Sequence, residues 1–364
     1  MDSPQEPVTM LDVARLAGVS KATVSRALRN DPRVSPATRQ RIAAIARRLR
    51  YQPHRIASAL ATQRTNALGL VIPSPPRSFS HPFYLEFIGG VGDRALEEGY
   101  TFFFARGEDM FTPDDRGRLA LTPIAARADG LILTEPEVDD PRLRAVRRWG
   151  KPVVWLGNPW IGSRHWADGE SEGEGGPAEG DRMASVEGDN EGGAAAVVRH
   201  LIALGHRRIG FIAGPPNDAA GRRREAGYRR ALAEAGLSPD PDACATGDFT
   251  EAGGRRAALA LLQRRPDLTA LFAASDLMAI GALQALREHG RRVPEEISVA
   301  GFDGIYVGRY VVPVLTTAEQ PIYALGTRAA ALLLELIRGG RPAERVVVLP
   351  CRLRIGESTG PARG

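Results

Sequence analysis

The stretch Gly18-Val19-Ser20-Lys21-Ala22-Thr23-Val24-Ser25-Arg26-Ala27-Leu28 reads as a tight turn followed by one short helix. Gly18 makes the turn at no steric cost, and Ser20 is a favourable N-cap. Val24, Ala27 and Leu28 fall on an inward face, while Ala22, Thr23, Ser25 and Arg26 look outward. On the N-terminal side, Thr9 with Asp12 three residues on resembles a capping box. Leu11, Val13, Ala14, Leu16 and Ala17 give the helix behind it an apolar face. On the C-terminal side, Ser35-Pro36 opens a third helix that carries Ile42, Ile45, Ala46 and Leu49 on one side. This is a helix-turn-helix pattern. A helix entering the major groove, about 12 Å wide, needs short polar residues near its N-terminus and a few longer donors for base edges, and Lys21, Thr23 and Arg26 have those properties.

The charge agrees. Residues 1–64 hold twelve Lys and Arg against four Asp and Glu, a net of +8, which leaves −3 for residues 65–364 of this 364-residue chain. A basic head on a mildly acidic body fits a polyanion-binding unit joined to something that binds another ligand. Past the third helix, Tyr51-Gln52-Pro53-His54-Arg55-Ile56-Ala57-Ser58-Ala59-Leu60-Ala61 starts with Pro and is rich in small residues. A helix this short is marginal alone and needs a partner or DNA. Leu60 then suits a minor-groove wedge, with an ordinary linker helix as the alternative.

From Asn66 onward short apolar runs alternate with amphipathic helices. Strands are expected at 67–73, 100–105, 130–133 and 152–156, and again at 208–214, 270–274 and 298–301. Helices are expected at 83–98, 116–127 and 139–148, then at 190–204, 222–236, 250–263 and 276–288. Residues 345–359 read as a last strand returning to the second lobe, and the Gly- and acid-rich 163–182 as an exposed loop. Such alternation predicts two parallel, doubly wound α/β lobes. Ligands of such sheets sit beyond the carboxyl ends of the strands. The polar and aromatic residues there are Ser74, Arg106, Trp155, Asn158, Ser275, Asp276, Phe302, Asp303 and Gln320, with His81, Phe83 and Tyr84 opening the first helix of the body. Rings beside Arg, Asp and amide groups suit a sugar.

Other classes find little support. No apolar stretch nears the roughly 18 residues of a membrane span. The N-terminus shows no secretory pattern, and two isolated cysteines, Cys244 and Cys351, point to a reducing cytoplasm. No phosphate loop, nucleophile elbow or His-Glu-x-x-His is present, and the histidines at 54, 81, 165, 200, 206 and 289 lack metal-ligand spacing. The chain is therefore expected to be no enzyme, with no metal and no cofactor.

Taken together, the segments from Val8 to Leu28 and from Tyr51 to Ala61 resemble the headpiece and hinge of the LacI/GalR family of bacterial repressors. His81-Pro82-Phe83-Tyr84, Gly205-His206-Arg207-Arg208-Ile209, Arg224-Glu225-Ala226-Gly227-Tyr228, Ala274-Ser275-Asp276, Gly301-Phe302-Asp303 and Leu315 to Gln320 resemble its body motifs. The resemblance implies a small all-α helix-turn-helix headpiece (1–52), a hinge helix (53–64) and a periplasmic-binding-protein-like body (65–364). Its first lobe is then about 65–187 and 321–348, and its second about 188–320 and 349–364. It implies operator contacts from Thr9, Ser20, Lys21, Ala22, Thr23, Ser25, Arg26, Arg29, His54, Arg55, Ala57, Leu60 and Ala61. Effector contacts would come from His81, Phe83, Tyr84, Trp155, Arg224, Ser275, Phe302, Asp303 and Gln320. Four positions depart from the family: Arg29 and His54 in the headpiece region, Ser275, where Asn is more usual, and Gly157, where many members carry Asp. The implied partners are double-stranded operator DNA, a mono- or disaccharide effector and a second copy in a homodimer, with no membrane. A purine effector, a corepressor mode and a free sugar-binding protein remain open.

Overall fold

The computed structural model describes residues 8–28, 31–49, 51, 64–72, 81–115, 117–160, 180 and 182–363. The expected hinge helix and its residues His54, Arg55, Ala57, Leu60 and Ala61 lie outside these residues. So do Arg29, Ser74 and most of the 163–182 loop. The chain divides at Thr65–Asn66 into a small helical unit and a large α/β unit.

In the helical unit, α1 (Met10–Ala17), α2 (Lys21–Leu28) and α3 (Pro36–Arg48) close on a core of Val13, Ala14, Ala17, Val24, Ala27, Val34, Ile42 and Ala46. The Asp12 carboxylate accepts from the Thr9 N–H at 2.9 Å and the Thr9 hydroxyl at 2.6 Å, which fixes the start of α1. Gly18, at φ +61°, ends it in the left-handed conformation, and the Val19 N–H reaches back to the Ala14 carbonyl at 3.1 Å. The Ser35 hydroxyl caps α3 through the Thr38 N–H at 3.3 Å. One expectation fails: Leu11 and Leu16 are 57 % and 49 % exposed, because three helices this short enclose only one narrow stripe of α1.

The large unit contains two six-stranded sheets. The first runs β13-β7-β6-β5-β1-β2, all parallel, from β1 (Ala67–Ile72), β2 (Thr101–Arg106), β5 (Gly130–Leu133), β6 (Val153–Leu156), β7 (Met183–Gly188) and β13 (Val346–Leu349). Helices α4 (Pro82–Glu97), α5 (Arg142–Trp149) and, from the far end of the chain, α10 (Ile322–Ile337) belong to this lobe. The second sheet runs β14-β12-β11-β10-β8-β9, from β8 (Ile209–Ala213), β9 (Cys244–Thr246), β10 (Ala270–Ala273), β11 (Ser298–Asp303), β12 (Thr316–Glu319) and β14 (Arg352–Arg354). Its helices are α6 (Asn190–Ala203), α7 (Ala219–Glu234), α8 (Glu251–Arg264) and α9 (Asp276–Glu288). Only β14 is antiparallel. Strands buried on both faces explain why the sequence shows continuous apolar runs instead of alternation.

Several boundaries correct the sequence reading. No α-helix occupies 117–127: β3 (Phe111–Pro113) pairs with β4 (Leu119–Leu121) as a hairpin, followed by a 3-10 turn at Pro123–Arg127. Pro113 and Pro123 cannot donate to a helix ladder, and the Asp114 carboxylate holds the turn by accepting from the Arg118 N–H at 2.9 Å. Helix α5 starts three residues later than expected, since Asp139 is left-handed (φ +56°) and the Asp140 carboxylate accepts from the Arg142 N–H at 2.8 Å. Helix α7 starts three residues earlier, capped by the Asp218 carboxylate on the Gly221 N–H. The last strand is in fact two, β13 in the first lobe and β14 in the second, broken at Pro350-Cys351.

The chain crosses between lobes three times, from β7 to α6, from β12 to α10 and from β13 to β14. These crossings lie side by side, with Gly188 against Gln320 and Cys351. The strand ends of both sheets therefore face one cleft. No helix among the described residues is long and apolar enough to cross a membrane.

Candidate functional site

The cleft encloses a cavity of about 290 Å³. From the second lobe come Arg224 on α7, Ser275 at the head of α9, Asp303 at the end of β11 and Gln320 just past β12. Arg224 is buried, and three of its five N–H groups are engaged within the protein. Its Nε donates to the Asn190 amide oxygen at 2.9 Å, Nη1 to the Ala274 carbonyl, and Nη2 pairs with the Asp303 carboxylate at 3.1 Å. Gln320 donates to the same Asp303 oxygen at 2.9 Å. Beneath the guanidinium lies the Phe302 ring, 4.0 Å from Cζ to centroid, a cation–π contact in a dry setting. Asp303 holds φ +114°, a region that favours glycine. Local strain of that kind persists only where neighbours fix the residue, and here Arg224 and Gln320 fix it. Burial raises the Asp303 carboxyl above its usual range, against the pull of Arg224, His81 and Gln320.

The first lobe supplies the opposite wall. The His81 Nδ1 accepts from the Phe83 N–H at 3.2 Å and caps α4, so a neutral ring carries its proton on Nε2. Burial lowers its pKa, although Asp303 pulls the other way. Tyr84 donates its hydroxyl to the Glu135 carboxylate. Glu135 is exposed, but into the cavity and walled by protein. Desolvation therefore pushes its carboxyl up to about 7, with the Tyr84 hydrogen bond and Arg142 opposing and Asp218 adding to the rise. Glu135 is itself left-handed, at φ +46°.

Across the mouth the lobes meet main chain to main chain. The Val138 N–H donates to the Asn217 carbonyl at 2.8 Å and the Ala219 N–H to the Pro136 carbonyl at 3.1 Å, around an antiparallel bridge between Glu137 and Asp218. The cleft is closed in this conformation.

Of the sequence-derived effector residues, His81, Phe83, Tyr84, Arg224, Ser275, Asp303 and Gln320 line this one cavity. Phe302 does not line it and acts as the floor under Arg224. Trp155 is corrected outright. It is fully buried on the other face of β6 from Leu156, which does reach the cavity, and the Arg142 guanidinium lies 5.0 Å from its ring centroid. Asn158 and Asp276 are internal: Asn158 accepts from the Trp160 N–H at 2.9 Å, and Asp276 from the Thr317 hydroxyl and the Ile305 N–H. Arg106 pairs with Asp109 at the surface. Gly157 sits at φ +99° with Pro136 where a Cβ would stand, so an Asp is sterically refused there. The sequence reading missed Glu135, Asp218 and Phe249, whose ring lies 6.0 Å from the Arg224 guanidinium.

In the helical unit, Thr9, Ser20, Lys21, Ala22 and Arg26 are exposed and Thr23 and Ser25 half-buried. The Thr23 N–H donates to the Ser20 hydroxyl at 3.2 Å, capping α2 and leaving its N-terminal end uncovered by the unit's own core.

Comparison with known proteins gives a consistent result. Residues 9–54 match the family described as bacterial regulatory proteins, lacI family, and residues 198–359 a periplasmic binding protein-like domain. The HTH-type transcriptional regulator CelR of Thermobifida fusca is 37 % identical over 351 residues, 96 % of this chain and 98 % of CelR. A solved transcriptional regulator CelR–cellobiose complex superposes with a TM-score of 0.68 at 35 % identity, covering 96 % of this chain and 99 % of that one. The lac repressor dimer bound to operator and the anti-inducer ONPF superposes with a TM-score of 0.77 at 26 % identity, over 98 % and 100 %.

Proposed function

Because the chain belongs to the lacI family of bacterial regulatory proteins, we propose that it is a homodimeric repressor of carbohydrate genes that releases its operator when a small saccharide fills the cavity between its lobes. It is a DNA-binding transcriptional regulator and not an enzyme. The observation that carries the effector reading is the cavity itself. The Arg224–Asp303–Gln320 network and the Phe249 ring face it, the combination that recognises vicinal hydroxyls and the C–H face of a pyranose. The CelR complex binds cellobiose, and a β-linked glucose disaccharide is the effector we assign. Its place of action is the cytoplasm, where the DNA is.

On the DNA side, Lys21, Ala22, Thr23 and Arg26 on α2 read the major groove. Thr9, Ser20, Ser25, Arg29 and His54 are the further operator contacts of this reading, and Arg55, Ala57, Leu60 and Ala61 its minor-groove contacts. The exposure of Lys21, Ala22 and Arg26 supports the first assignment. Two copies related by a two-fold axis fit a near-palindromic operator. A ligand touching both walls favours the closed cleft over the open one. It can weaken operator binding only by its differential affinity for the two states.

The test is fluorescence anisotropy of a labelled duplex from the protein's own upstream region, titrated at two salt concentrations and then challenged with cellobiose. Tight, salt-sensitive binding released by the sugar is the expected result. Binding that the sugar strengthens makes it a corepressor, and a duplex that does not bind specifically overturns the reading.

A further inference from the structure

Five carboxylates line the cavity, Glu135, Glu187, Asp218, Asp248 and Asp303, against Arg224 and His81. Three have an arginine of their own: Arg224 on Asp303 at 3.1 Å, Arg256 on Asp248 at 2.7 Å and Arg223 near Glu187 at 4.0 Å. Glu135 and Asp218 do not. They face each other from opposite lobes, and neither has an ion pair among the described residues. Glu135 takes its hydrogen bond from Tyr84, and Asp218 is held at the N-terminus of α7. Arg142, whose charge partly offsets the rise at Glu135, is clamped on Asp140 by Nη2 at 2.6 Å and Nε at 3.0 Å, reaches Glu135 only at its main-chain carbonyl and does not line the cavity. The cation on the opposite wall, Arg224, has its charge paired with Asp303 and three of its five N–H groups engaged.

We propose that Glu135 and Asp218 act as a charge filter on the effector: the cavity takes an uncharged saccharide and refuses the acidic counterpart of the same sugar, a uronate or sugar phosphate. The inference rests on the saccharide reading above and deepens it. An anionic ligand enclosed here meets five carboxylates against one arginine, Arg224, with Glu135 and Asp218 outside any ion pair among the described residues, across low-dielectric walls where repulsion is many times stronger than in water. The one arginine in the lining, Arg224, is already paired with Asp303, so it repays little of the hydration the anion loses. A hydroxyl, by contrast, donates to either carboxylate at no charge cost. The carboxylates already act on one another: beside the larger effect of burial, Asp218 raises the Glu135 carboxyl, and Asp303 and Glu137 raise that of Asp218.

Isothermal titration of the full-length protein at pH 8, with Glu135 ionised, tests this with three probes of one skeleton: cellobiose, cellobiouronic acid and cellobiouronamide. The amide matches the acid in shape and lacks its charge. The expected result is that the amide binds at least about 30-fold more tightly than the acid. In Glu135→Gln/Asp218→Asn the amide-to-acid ratio falls to within about threefold. Both replacements keep the hydrogen-bonding shape, and Asn still caps α7. Because the ratio is taken within each protein, an overall loss of affinity cancels. Wild-type protein that binds acid and amide alike overturns the filter whether or not the variant folds. So does a double variant that keeps the wild-type ratio. If cellobiose, acid and amide all fail to bind, the saccharide reading itself falls and takes the filter with it.

Discussion

The two walls of the cavity solve the problem of buried charge in opposite ways. On the second-lobe wall, Arg224 is held by Asn190, Ala274 and Asp303, with Gln320 donating to the same carboxylate and Phe302 under the guanidinium. On the first-lobe wall, the Glu135 carboxylate takes a hydrogen bond from Tyr84 and a partial offset from Arg142 but has no ion pair among the described residues, and the charge facing it across the cleft is another carboxylate, Asp218. A network bonded from several sides is rigid and presents a fixed geometry, so it suits the part of a ligand that does not vary. An under-compensated carboxylate responds to whatever charge arrives. The comparison assigns recognition of the ring to one wall and discrimination among rings to the other.

The largest expected effect comes from breaking the second-lobe wall. Arg224→Ala leaves Asp303 and Asn190 without their partner inside the protein, which costs about 3–5 kcal/mol of stability. It should also weaken cellobiose binding by more than about 100-fold. Thermal unfolding and calorimetry read the two losses separately. Phe249→Ala removes one ring face while leaving the ionic network in place, and a loss of about tenfold in affinity is expected by titration.

A third prediction concerns pH. Glutamate ordinarily titrates near 4.5, and burial pushes Glu135 up to about 7 in the folded protein. The folded state holds that proton more tightly than the unfolded chain. Its contribution therefore favours folding below the ordinary value and is lost as the pH climbs through about 7. The melting temperature should fall between pH 5 and pH 8, and Glu135→Gln should flatten the slope. Asp218 and Asp303, raised in the same direction, keep part of it. An equal slope in wild type and variant would detach Glu135 from the effect. The smallest effect is expected at the rim, where Arg256 and Asp248 form a solvent-exposed pair. Arg256→Ala should change cellobiose affinity by less than about threefold.

The sequence made the fold legible wherever local chemistry and tertiary packing agree. Helix α9 runs over the span expected from Ser275, whose hydroxyl accepts from the Met278 N–H at 3.2 Å, and from the apolar run behind it. The 116–127 helix failed because its arginines and alanines have helical propensity while Pro113, Pro123 and the turn held by Asp114 decide the backbone. The cavity was legible on the second-lobe side, where the residues follow long strands or open long helices. Phe249 escaped because β9, three residues long, leaves no apolar run to announce its end. Glu135 escaped because an acid two residues past a strand looks like an ordinary surface turn until the other lobe encloses it. Trp155 was placed in the cavity although strand alternation gives that wall to its neighbour Leu156.

The atoms that join the lobes at the mouth are the Val138 N–H with the Asn217 carbonyl and the Ala219 N–H with the Pro136 carbonyl. Every residue except proline carries an amide hydrogen, so this fastening is blind to side chains. Pocket residues can be exchanged for others without touching the clasp that shuts over them. The protein can thus be retuned to a new sugar one substitution at a time and still close, whereas a single proline at 138 or 219 would remove a clasp bond and leave the pocket's chemistry intact.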